Sequence, residues 1–131
     1  MVPTRFDRQA ARLVDVSQWL AQASDEWTRR RLVLEFLEGW QWQPRAVRGR
    51  LVADEPPSTG DVRWDVLLAG LAEWLTAQDC EPAPAWAEGR TLTTWWFPDD
   101  TPAARSTAIV HAPAALRRRG VFIAADDLQR A

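Results

Sequence analysis

The sequence predicts an all-α fold: a single compact domain over residues 1–131, with about four main helices, short C-terminal helices and an irregular Pro/Trp-rich segment around residues 82–102. Three observations carry this. The stretch from Asp61 to Asp79 places Trp64, Leu67, Leu68, Leu71, Trp74 and Leu75 at the i, i+3, i+4, i+7 spacing that makes one apolar helix face. Proline, glycine and capping residues punctuate the chain at helix-length intervals. Extended structure is hinted at only in Thr91–Phe97 and in the brief apolar link Val121, Phe122 and Ile123.

The Asp61 helix is the organising element. Pro56, Pro57, Ser58, Thr59 and Gly60 break any earlier helix and offer Thr59 or Asp61 as the N-cap. Glu81-Pro82-Ala83-Pro84 stops it, because proline has no N–H to donate. Upstream, Thr4 to about Ala23 reads as a first helix with Phe6, Ala10, Leu13, Val16, Ser17 and Leu20 on one face, opened by Thr4 and Asp7 as a capping box. Ser24 is the expected cap of a second helix through about Gln41, with Asp25 and Glu26 in its first turn. Its apolar face is Val33, Phe36, Leu37 and Trp40, widened by Trp27, Leu32 and Leu34. Pro44 is placed as the first residue of a third, short helix carrying Val47 and Leu51.

After Pro84 the pattern changes. Four prolines and the rings of Trp86, Trp95, Trp96 and Phe97 predict an ordered irregular segment laid over the helices, since so much aromatic surface is costly in water. Asp100 or Thr101 caps a further helix that starts at Pro102 and runs to about His111. Pro113 opens a short helix, Ala114–Arg119, stopped by Gly120, and Ala125–Arg130 closes the chain.

Composition narrows the function classes. A chain of 131 residues suffices for one core and buries roughly two-thirds of its unfolded surface. A formal charge of −2 gives no global pull toward nucleic acid or anionic membrane. Neither a signal peptide nor an apolar run of membrane-spanning length is apparent, and the single Cys80 has no disulfide partner, so the expected setting is the cytoplasm. All sixteen basic residues are arginine and there is no Lys, Asn or Tyr, as a high-GC genome would produce, which discounts arginine clusters as functional signals.

No metal, cofactor or catalytic site is expected. One Cys and one His, far apart, do not make a zinc set. No phosphate loop, nucleophile elbow or dinucleotide fingerprint is present. Asp99-Asp100 and Asp126-Asp127 sit beside helix starts, where aspartate serves as a cap. The triplets Arg29-Arg30-Arg31 and Arg117-Arg118-Arg119 do not form single patches, because successive helical residues point about 100° apart.

Tryptophan is the anomaly. There are nine, and Trp40 and Trp42 differ by about 200° on a helix, so Trp42 is expected to be exposed or to cover the third helix. Exposed indoles favour protein contact.

The residues TGDVRWDVLLAGLAEWL, PAPAW, WWFPDD and ALRRRGVFIAADDL together resemble the C-terminal part of a family of bacterial proteins encoded beside nucleotidyltransferase-like toxins. The resemblance covers roughly residues 33–131. It implies an antitoxin that binds a cognate toxin protein. Larger members carry a helix-turn-helix domain in front, for which residues 1–32 are too short, so direct operator binding is not expected and the protein-binding role is retained. The candidate partner surface is Trp86, Trp95, Trp96, Phe97, Arg117, Arg118 and Arg119, rings as anchors and guanidinium groups facing carboxylates. Trp42, Arg45 and Arg48 make a second candidate surface. Two other readings stay open: a nucleic-acid-associated regulator using Arg29, Arg30, Arg31, Arg45, Arg48 and Arg50, and a small-molecule binder or enzyme with an aromatic pocket near Asp99, Asp100 or His111.

Overall fold

The chain builds its core on α4 (Val62–Gln78), the predicted central helix, in a computed structural model that describes residues 11–129. Asp61 caps it, its carboxylate accepting from the Arg63 N–H at 2.9 Å. Before it come α1 (Leu13–Gln22), α2 (Glu26–Gln41) and α3 (Arg45–Leu51); after it come a 3-10 turn at Ala85–Ala87, α5 (Pro102–His111), α6 (Ala114–Arg117) and α7 (Ala125–Gln129). The architecture is all-α, with seven α-helices and no strand among the described residues.

Both faces of α4 are covered, which is why ten of its residues are buried where a single stripe was expected. α1 packs on it and on α2, while α6 lies across it from the far end of the chain. That crossing is close enough to exclude a side chain: a Cβ on Gly70 would stand 2.3 Å from the Leu116 Cδ2. The buried run Val121–Ala124 and Leu128 of α7 complete the core. Trp64 is 1% exposed and satisfies its indole N–H on Glu26 at 3.2 Å, so its large ring is buried without an orphaned donor.

The linker before α4 is tied down by one carboxylate. Asp65 accepts from the Thr59 N–H, the Thr59 hydroxyl and the Ser58 hydroxyl, each at 2.7 Å. The segment after α4 is irregular, as predicted, and ordered by two kinds of bond. Arg90 reaches Glu55 at 2.8 Å, and Trp96 forms a parallel bridge with Val121. In that bridge the Trp96 N–H donates to Gly120 O at 2.8 Å and the Phe122 N–H to Trp96 O at 2.9 Å.

Several boundaries differ from expectation for identifiable reasons. Asp25, not Ser24, caps α2, because its carboxylate reaches the Thr28 N–H at 2.7 Å. Pro44 is the N-cap of α3 rather than its first residue, with ψ at 148°, outside the helical range. α1 begins at Leu13, with Arg12 extended before it, and Asp15 takes the Arg12 N–H at 3.1 Å. The expectation of Phe6, Ala10, Thr4 and Asp7 in a longer helix lies outside the described residues. Trp27 does not join the apolar face of α2; it is 70% exposed, with the Arg31 guanidinium 5.5 Å from its ring.

α4 and α6 end in the same way. Glu81 N–H bonds to Thr76 O while Cys80 N–H bonds to Ala77 O, and Val121 to Leu116 O while Gly120 to Arg117 O. This is the Schellman arrangement, which needs a left-handed residue. Gly120 supplies it at φ 89°, whereas at the end of α4 a cysteine, Cys80, is held at φ 58°.

Candidate functional site

The seven residues of the first candidate surface divide between the interior and the exterior. Trp86 donates its indole N–H to Val52 O at 2.9 Å and lies under the Arg90 guanidinium at 4.9 Å. Trp96 meets Trp64 edge-on at 5.2 Å with Arg63 over its own ring at 5.1 Å. Both are partly buried rings at the edge of the main core. Phe97 belongs to a second, smaller cluster with Phe122, Ala108 and Ala112. Trp95 stands on that cluster, 4.7 Å from Phe122, and is 66% exposed.

Among the three arginines, Arg119 is an interior residue, 5% exposed. It donates to Ala87 O at 2.7 Å, to Arg90 O at 2.9 Å and to Glu73 at 2.6 Å, leaving its buried Nε without a partner. Arg118 is exposed and pairs with the other carboxylate oxygen of Glu73, and Arg117 is exposed on α6. Burial alone would raise the Glu73 carboxyl; the hydrogen bonds and charges of Arg118 and Arg119 outweigh it and hold the group below its ordinary 4.5. The triplet is therefore mainly an internal fastening of α6 and the Ala87–Arg90 turn to α4. The surface that remains outside is Trp95, Arg117 and Arg118.

Sequence reasoning missed two exposed apolar residues that adjoin this region, Ile109 and Val110 on α5. The signal was present. Ala104, Ala108 and Ala112 recur every four residues, a small-residue face suited to close contact, and Ala108 and Ala112 are the pair that packs on Phe97 and Phe122. Ile109 and Val110 are turned away from it. Arg105, one turn before Ile109, lies 4.3 Å above the Phe97 ring.

At the second candidate surface Trp42 is 75% exposed at the C-cap of α2, as expected. Arg48 bonds Asp79 at 3.1 Å and stacks on Trp40 at 5.9 Å, and Arg45 bonds the Asp79 carbonyl. Beside them an open groove of about 810 Å³ runs between α3 and the end of α4. The buried Trp40 and Val52 lie at its bottom, Ala46, Gly49 and Arg50 on one side, and Thr76, Asp79, Glu81, Pro82, Pro84 and Ala85 on the other. A smaller hollow of about 440 Å³ surrounds the Glu73 fastening on the far side of Pro84.

The arginines of the nucleic-acid reading do not form one free basic face. Arg29 is bound by Glu26 at 2.6 Å and by the Leu20 and Ala23 carbonyls, and Arg31 by Glu35 at 2.9 Å. Arg30 borders a small recess beside Trp64. Asp99 accepts from the Thr101 N–H at 3.2 Å, and Thr101 in turn caps α5; Asp126 and Asp127 lie in the first turn of α7. His111 is the exposed last residue of α5. Among the described residues no group of three His, Cys, Asp or Glu side chains is placed to hold a metal ion, and no helix is long and apolar enough to cross a membrane.

Compared with models of protein families, with curated proteins and with solved structures, the chain matches none.

Proposed function

We propose that this protein is a non-enzymatic protein-interaction module, an antitoxin that binds and neutralises a nucleotidyltransferase-like toxin in the bacterial cytoplasm. The observation that carries the reading is Trp95, an indole 66% exposed to water yet held by its contact with Phe122. A large ring ordered in advance loses little conformational freedom on binding, which is what makes tryptophan an effective anchor. Ile109 and Val110 add exposed apolar surface on the helix packed against the same cluster, and Arg117 and Arg118 add outward guanidinium groups on α6. The resemblance of the Trp64 helix, the Pro-Ala-Trp turn and the Trp-Phe-Pro segment to antitoxins of this type supplies the partner class.

The test is co-expression with the product of the adjacent gene, followed by size-exclusion chromatography with light scattering. The expected result is a stable complex of defined mass and rescue of growth. A chain that elutes alone beside a folded, soluble neighbour overturns the reading for that partner.

A further inference from the structure

We infer that the outward face of α5 pairs with the same face of a second copy of this chain, the two helices antiparallel about a two-fold axis at Ser106. Three observations lead there: which side chains α5 turns outward, how they are spaced, and what charges stand at its two ends.

α5, with the sequence PAARSTAIVH, is packed the opposite way to an ordinary surface helix. Its inner side is alanine: Ala108 and the C-cap Ala112 are buried on Phe97 and Phe122, with Ala104 half-buried one turn earlier. Its larger aliphatic side chains, Ile109 and Val110, are 50% and 66% exposed. A helix that serves only its own fold turns such residues inward. At about 100° per residue, Pro102, Ala103, Ser106 and Val110 fall together opposite the alanines, with Ile109 on their flank. All five are exposed, and none is charged. Arg105, the one arginine of the helix, is drawn off to the Phe97 ring at 4.3 Å.

The spacing identifies the occupant. Pro102 and Ala103 lie four and three residues before Ser106, and Val110 and Ile109 lie four and three after it. In an antiparallel pair centred on Ser106, positions equally far from the centre stand level with each other. Pro102 and Ala103 of one copy are then level with Val110 and Ile109 of the other, and the relation repeats on the far side of the axis. Small residues against branched ones let two helix surfaces interdigitate, and the Ser106 hydroxyls meet at the centre. Such a face is complementary to itself, as an isologous contact requires.

The ends set the direction. Asp100 stands just before the helix and His111 ends it; both are exposed, and neither is in an ion pair among the described residues. In the antiparallel pair Asp100 of each copy comes beside the His111 end of the other, and the helix dipoles oppose. A parallel pair sets Asp100 against Asp100, which like charge disfavours.

One ten-residue helix offers less than the roughly 800 Å² per partner of a standard interface. The pairing is therefore weak and reversible, with a Kd of about 10–1000 µM. Ile109 and Val110 are then shared between the second copy and the toxin of the antitoxin reading. The self-association does not rest on that reading, and measurements on this chain alone let either fail without the other.

The experiment is analytical ultracentrifugation of the full-length protein from about 1 µM to about 1 mM, the range that brackets such a Kd. Val110→Arg, Ser106→Glu and Ser106→Arg are measured in the same way, each at an exposed position and each checked for folding by circular dichroism and thermal melts. The parent is expected to show a monomer–dimer equilibrium that weakens at least tenfold in each variant. An equimolar mixture of Ser106→Glu and Ser106→Arg is expected to restore it, because the two charges meet at the axis. A parent that stays monomeric throughout overturns the inference. So does a dimer that all three variants leave intact, which places the contact on another surface. Loss in each variant without recovery in the mixture overturns the antiparallel register at Ser106.

Discussion

The Arg119 guanidinium donates to the Glu73 carboxylate at 2.6 Å, binding a residue near the end of the chain to the middle of α4. The carboxylate is held below its ordinary 4.5, so the fold binds fewer protons there than the unfolded chain does. Its stabilising contribution is complete above that ordinary value and is lost as pH falls through the depressed one. Stability measured by urea denaturation is expected to fall on acidification below about pH 4.5, and Glu73→Gln is expected to flatten that part of the profile. An unchanged acid limb in Glu73→Gln would assign it to other carboxylates.

Breaking the same pair from the other side costs more. Arg119→Met leaves Glu73 with Arg118 alone, takes the side-chain donor from the Arg90 carbonyl and leaves the Ala87 carbonyl only the Arg90 N–H at 3.4 Å. A loss of about 3 kcal/mol is expected, in the range for removing one partner of a buried, hydrogen-bonded charge pair. Arg117→Met, on an exposed side chain of the same triplet, is expected to change stability by less than about 0.5 kcal/mol.

Gly70 and Leu116 form a coupled pair. Alanine at 70 brings a methyl group against a Leu116 side chain that is itself fully buried, and overpacking of this kind costs about 1–3 kcal/mol, less the roughly 1 kcal/mol that alanine returns as a better helix former. Gly70→Ala is therefore expected to destabilise by about 1 kcal/mol. In a Leu116→Ala background the clash is gone and the same change is expected to stabilise. A double-mutant cycle that shows simple additivity would mean the two sites do not touch.

Cys80→Gly is expected to raise stability by about 1 kcal/mol, because a left-handed conformation at φ 58° strains any residue with a Cβ and glycine adopts it freely. The thermal midpoint checks this. A lower midpoint would mean that the cysteine side chain makes a contact worth more than the strain.

Trp95→Ala is expected to leave the fold within about 1 kcal/mol of the parent while weakening partner binding at least tenfold, whereas Trp64→Ala is expected to cost about 3–5 kcal/mol of stability. Isothermal titration and denaturation separate the two effects. Loss of folding in Trp95→Ala would make that ring a structural element of the Phe97 cluster.

Helices were legible in the sequence because their signals are local. The stripe of α4, the Asp61 cap and the Pro102 start each involve residues within a few positions of one another. The divergence of Trp40 and Trp42 was also readable, since it follows from helix geometry alone; one is buried and the other exposed. What periodicity cannot give is the identity of the neighbour that covers a face. The spacing puts Trp27 on the apolar side of α2, yet it is 70% exposed, with the Arg31 guanidinium over its ring. Arg119 looked like one of three surface cations; its burial depends on a carboxylate 46 residues away. The groove beside Gly49 joins two helices and a proline-rich turn that are distant in sequence, so no window of residues contains it. Arginine's abundance concealed a further regularity: among the described residues five guanidinium groups lie over aromatic rings, on Trp27, Trp40, Trp86, Trp96 and Phe97, so these arginines are engaged with rings of the chain itself.

The crossing of α6 over α4 sets an order of events in biosynthesis. The leucine face that Leu116 covers leaves the ribosome before its cover has been made, and Val121–Ala124 emerge later still. At roughly 5–20 residues per second the nascent chain spends seconds with α4 incompletely shielded. During that interval the leucine face of α4 is open to water, and it closes only once α6 and Val121–Ala124 have been translated.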